Sequence, residues 1–107
     1  MKKSLTLRIL LGLIISLGRI FQIASLEVPP LSGYVNDNAR LLSSSESSQI
    51  ENYLAAVENS SGAQIVLLTI PSLEGDSLES FSIRVAEKWA LGQSDRDDGI
   101  LLLVAFI

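Results

Sequence analysis

Two stretches of this chain are apolar at almost every position. Ala63 to Ile70 reads Ala-Gln-Ile-Val-Leu-Leu-Thr-Ile and is closed by Pro71, and Ile100 to Ile107 reads Ile-Leu-Leu-Leu-Val-Ala-Phe-Ile. Neither shows the apolar/polar alternation of a strand with one wet face. Short apolar runs bounded by turn signals predict strands covered on both sides, the habit of parallel α/β sheets, and place the last run in the middle of a sheet. Between and before them the pattern changes period. Ile50, Tyr53, Leu54 and Val57 recur at helical spacing, and so do Leu78, Phe81, Val85 and Trp89.

The helix ends are marked as well. Ser43 with Glu46 three residues on is a capping box, and Gly62 suits the left-handed position that stops a helix. Asp76 with Glu79 predicts the start of the second helix and Gly92 its end. If fully buried, each of the four apolar residues of the first helix contributes roughly 1.5–3 kcal/mol, against about 1 for the cap, so packing holds it. Trp89 reads as an anchor from helix to sheet. Helix, strand, helix, strand with short connections predicts a right-handed crossover and two parallel neighbours. Tyr34-Val35 is a further short strand and Asn36-Asp37-Asn38 a polar turn.

Ahead of these elements, residues 26–33 contain Pro29-Pro30, which bars helix and predicts an extended lead-in. Residues 1–25 carry Lys2 and Lys3, an apolar run from Ile9 to Gly18 and small residues at Ala24-Ser25, the order of a secretory signal peptide or an N-terminal anchor. Arg19 and Gln22 interrupt the run before the length of about 20 residues that a spanning helix requires. The expected location is therefore an exported one: periplasm, cell surface or a comparable lumen.

Composition narrows the chemistry. The chain has no Cys and no His, which excludes disulfides, thiolate or imidazole zinc sites, Ser-His-Asp triads and Cys nucleophiles. Its net charge is −4, but four of its eight basic residues precede Ser25, leaving four against twelve acids, a balance of −8 in the body. No basic face exists to displace counterions from phosphates, so nucleic acid is not an expected partner.

The remaining cluster with chemical potential is Asp95-Arg96-Asp97-Asp98, directly ahead of Gly99 and the last apolar run. Three carboxylates within four residues repel one another unless a cation compensates, and a hard divalent ion such as Ca²⁺ or Mg²⁺ fits the ligand type. The simpler reading is a solvated loop whose Asp side chains bond nearby amides. Two sharper motifs fail. An aspartyl-phosphate phosphatase places its Asp-x-Asp after a strand, and Asp95 and Asp97 precede one. An EF-hand loop would need an acid where Gly99 stands and Gly where Ile100 stands.

Taken in order, Pro29-Pro30-Leu31-Ser32-Gly33-Tyr34-Val35-Asn36-Asp37, Ala39-Arg40-Leu41-Leu42-Ser43, Gly62-Ala63-Gln64-Ile65-Val66, Ala86-Glu87-Lys88-Trp89 and Asp98-Gly99-Ile100-Leu101-Leu102-Leu103-Val104 resemble the TPM domain family. The resemblance spans Val28 to Ala105. It implies a Rossmann-like α/β/α sandwich with parallel central strands, here incomplete and truncated after the third strand, so that 34–107 forms a partial TPM domain. It also implies an acidic site for a divalent cation, calcium more readily than magnesium. Carried over residue by residue, Asp37 matches the aspartate of the family's first motif and Asp98 the position ahead of the glycine, with Asp97 and Asp95 beside it.

For Asp37 an Asx turn is the competing assignment. One ion can join Asp37 and Asp98 only if both reach the same end of the sheet. The expected function is an exported module that binds a divalent cation and assists assembly or maintenance of a membrane protein complex or envelope protein. The rivals are a metal-assisted acid phosphatase acting on a small phosphate ester, as in the family's thylakoid members, and an inert fragment.

Overall fold

A computed structural model of the protein describes residues 25–92 and 98–106. In chain order the elements are β1 (Val35–Asp37), α1 (Ser44–Ser61), β2 (Gln64–Ile70), α2 (Leu78–Lys88) and β3 (Gly99–Ala105). The three strands form one parallel sheet in the order β1-β2-β3, with Asp37 beside Thr69 at one end and Gln64 beside Gly99 at the other. This is the expected α/β fold with its parallel neighbours, in the form of an incomplete Rossmann-like sheet.

The core lies on one face of that sheet. Val66, Leu68 and Ile70 of β2 are buried against Phe81, Val85 and Trp89, with Leu101, Leu103 and Ala105 of β3 packed alongside. Full burial of side chains such as Phe81, Leu68 and Val85 stabilises by roughly 1.5–3 kcal/mol each, which makes this layer the main cohesive contribution. The lead-in belongs to it: Val28 is buried in the same cluster, the Trp89 indole N–H donates to Pro29 O at 2.8 Å, and Arg84 donates to Leu26 O at 2.9 Å. Trp89 thus anchors the extended segment as well as the helix.

Helix α1 lies on the opposite face, against β1 and β2. Ser43 and Glu46 form the reciprocal cap, and Gly62 closes the helix at φ 80°. Its apolar stripe is narrower than its spacing predicts, because Leu54 is buried while Tyr53 is 68% exposed. In α2 the cap is Ser77, whose hydroxyl accepts from Ser80 N, and not Asp76, which pairs instead with Arg84 at 2.5 Å. Leu78, in the first turn of α2, remains 49% exposed.

The third strand departs most from expectation. The central strand is β2, and among the described residues β3 has a neighbour on one side only. Since α1 reaches no further than β2, the α1-side face of β3 is bare: Ile100, Leu102 and Val104 are 52%, 56% and 39% exposed, and Phe106 beyond them 53%. An apolar run fixes that a strand is present. It does not supply the cover.

Candidate functional site

Asp37 closes β1 at the carboxyl end of the sheet, the rim where open α/β folds usually hold ligands. Its carboxylate is already engaged. Oδ1 accepts from the Thr69 hydroxyl at 2.6 Å and from Leu41 N at 3.0 Å, and Oδ2 accepts from Leu42 N at 2.9 Å. These donors, the Thr69 hydroxyl first and then the two amides, hold the carboxyl below the ordinary carboxylate range. Thr69 in turn accepts from Ala39 N at 3.0 Å, so Asp37 and Thr69 together tie the β1–α1 connection to the end of β2. The carboxylate bonds amides four and five residues on, a longer reach than the two-residue Asx turn.

Asp98 lies at the opposite rim. It precedes Gly99, which pairs with Gln64 at the amino end of β2, and its main-chain carbonyl accepts from Gln64 N at 3.1 Å. From Gln64 to Thr69 the sheet runs roughly 17 Å at about 3.3 Å per residue. Two carboxylates on one calcium each approach it to about 2.3–2.6 Å. Asp37 and Asp98 therefore cannot share an ion within one chain, which corrects the single acidic site. Asp97 and Asp95 lie outside the described residues. Among the described residues no three carboxylates gather closely enough to hold a metal ion.

The carboxyl-end rim also gathers features that the sequence pattern does not show. A shallow cavity of about 170 Å³ lies between the lead-in and the β2–α2 connection, lined by residues including Glu27, Asn38, Ser72 and Glu74. A second, of about 190 Å³, is lined by Ser72, Leu73, Glu74, Gly75, Asp76 and Phe106. Two loop residues at this rim adopt left-handed backbone without being glycine, Arg40 at φ 54° and Glu74 at φ 51°. Such conformations are uncommon outside Gly, Asn and Asp, and where they occur the surroundings must hold them. The one hint in the sequence is Gly75, whose own φ is 84°. Nothing about Arg40 flags it.

The model of the TPM domain matches residues 35–106, most of the described chain and all three strands. The chain belongs to the TPM domain family. Among solved structures, this TPM domain is similar to the solution NMR structure of the N-terminal domain of a protein from P. gingivalis, with 29% sequence identity and a TM-score of 0.62. The match covers 67% of this chain and 46% of that one, so the chain spans less than half the length of the solved relative. No curated protein matches it.

Proposed function

We propose that this TPM domain is a binding module: an exported protein that assists assembly or maintenance of a membrane protein complex by docking on protein surface, not by turning over a small substrate. One observation carries the reading. Three apolar side chains, Ile100, Leu102 and Val104, stand open on one face of β3, with Phe106 exposed just beyond the strand, and exposed contiguous apolar surface is the mark of an interaction site. Any divalent cation, calcium before magnesium, is assigned to the loop that ends at Asp98, since Asp37 is committed to Thr69, Leu41 and Leu42.

The second reading, a metal-assisted phosphomonoesterase, draws support from Arg40, a cation in strained backbone at the same rim as Asp37. One pair of measurements separates them. Thermal melting with and without Ca²⁺ should show stabilisation that disappears in Asp98→Asn, while hydrolysis of an aryl phosphate stays at the buffer rate with either ion. Cation-dependent hydrolysis that Asp98→Asn or Arg40→Ala abolishes would establish the enzyme and overturn the binding module.

A further inference from the structure

We propose that the side of α2 bearing Arg84, Lys88 and Trp89 is a recognition groove for an extended, proline-bearing peptide. Its resident ligand is the chain's own lead-in, and its exchange partner is a Val-Pro-Pro-type segment of another protein. The groove lies on a different face from the binding reading above and does not depend on it.

The lead-in is held as a ligand is held, not as a strand. Among the described residues no backbone-to-backbone hydrogen bond joins 25–33 to the sheet or to either helix. Instead three side chains donate to its carbonyls: Arg84 to Leu26 O at 2.9 Å, Lys88 to Val28 O at 3.4 Å and Trp89 Nε1 to Pro29 O at 2.8 Å. Numbers rise together along both segments, so the lead-in runs parallel to the helix. Prolines 29 and 30 fix their own φ at about −65° and push Val28 and Pro29 into extended backbone. In polyproline II geometry, with about three residues per turn, the carbonyls of Leu26 and Pro29 fall on one side roughly 9 Å apart. Arg84 and Trp89 stand about 7.5 Å apart along the helix axis, so the two spacings match within side-chain reach.

What the groove reads is therefore main chain plus one side chain. Val28 is 8% exposed and joins the cluster of Phe81, Val85 and Trp89, whereas Glu27, Pro30 and Leu31 are exposed. Aromatic side chains receiving a polyproline segment are a recurrent mode of peptide recognition, favoured because the ligand is already extended before it binds. Arg84 is preset as a donor, paired with Asp76 at 2.5 Å and lying 5.5 Å from the centre of the Phe81 ring. The resident fills the groove incompletely: a cavity of about 170 Å³ remains between Leu26 and Pro29 on one side and Ile70, Pro71 and Phe81 on the other. The lead-in of a second copy is the poorer occupant. Asn36 Oδ1 accepts from Ser32 N at 2.8 Å and its Nδ2 donates to Gly33 O at 2.9 Å, a turn that returns the lead-in to its own α2 and that a swap between copies has to break.

A labelled peptide of residues 26–33, titrated with the full chain and read by fluorescence anisotropy, tests the groove. In Val28→Asp the chain's own lead-in cannot bury its charge and leaves, whereas in the unmodified chain it competes at roughly millimolar effective concentration. The peptide should therefore bind Val28→Asp at least about tenfold more tightly than the unmodified chain. Val28→Ala, a milder release, should show a smaller gain in the same direction and serves if the aspartate unfolds the chain. A peptide with both prolines replaced by alanine should bind several-fold more weakly, since its extended shape is no longer preset. Trp89→Phe, added to either Val28 variant, should weaken the parent peptide roughly 3- to 10-fold through the lost N–H. Equal binding to the Val28 variants and the unmodified chain, equal binding of the alanine peptide, or no binding at all would overturn the proposal. So would a concentration-dependent dimer of the unmodified chain in sedimentation, which would put a second copy's lead-in in the groove.

Discussion

Replacing Thr69 by Val tests the arrangement on which the candidate rim rests. The side chain is 2% exposed, and its hydroxyl makes two bonds: it donates to Asp37 Oδ1 and accepts from Ala39 N. Valine keeps the volume and removes both. A partly buried donor left without a partner costs about 1–3 kcal/mol, and the methyl that replaces the hydroxyl returns about 0.8. A net loss of about 0.2–2 kcal/mol remains, which in a domain of this size lowers Tm by roughly 1–16 °C.

The pH dependence identifies the partner. Since the Asp37 carboxyl is held below its ordinary value of 3.8, chiefly by Thr69, its contribution is fully present above that value and is lost as pH falls through the lower folded one. Without the hydroxyl the depression is smaller. The Tm gap between wild type and Thr69→Val should therefore be widest near neutrality and narrow on acidification, while Thr69→Ser keeps the wild-type profile. A gap of constant size down to strongly acidic pH would mean that Asp37 is not what the hydroxyl serves, and no gap at all would refute the account of the rim.

Two further outcomes follow from the packing. Val28→Ala removes two buried carbons from the cluster that docks the lead-in, a loss of about 1–2 kcal/mol, and should shift the emission of Trp89, the single tryptophan, to the red as its contact with Pro29 loosens. Unchanged emission would show that the lead-in stays docked without Val28. Gly99→Ala places a Cβ 2.3 Å from Gly92 N and 2.7 Å from Leu91 C, backbone atoms that cannot turn aside, and should cost about 1–3 kcal/mol in a urea melt. Gly62→Ala meets nothing within 4 Å and carries only the left-handed strain of its φ of 80°, about 1–2 kcal/mol. An Ala at 99 that costs nothing would show that α2's exit does not rest on the start of β3.

Where local chemistry decides a feature, the sequence was legible. The Ser43–Glu46 cap and the Gly62 stop involve neighbours along the chain, and Phe81, Val85 and Trp89 lie one turn apart on a single helix face. Periodicity is silent on how wide that face is: Tyr53 and Leu78 fit the apolar stripes by spacing, yet the sheet leaves them in solvent. Asp76 and Ser77 are both good caps. The choice fell to Ser77 because Arg84, two turns along the helix, draws Asp76 away. The unbroken run of β3 could not reveal that α1 stops over β2.

The acidic positions failed for a topological reason. In a parallel sheet a residue that closes one strand and a residue that precedes another stand at opposite rims whatever motif they share, and Asp37 and Asp98 are such a pair. The left-handed Arg40 and Glu74 sit in local turns, Arg40 N donating to Asp37 O and Glu74 N to Ser72 Oγ, and only Gly75 beside Glu74 leaves a trace in the sequence.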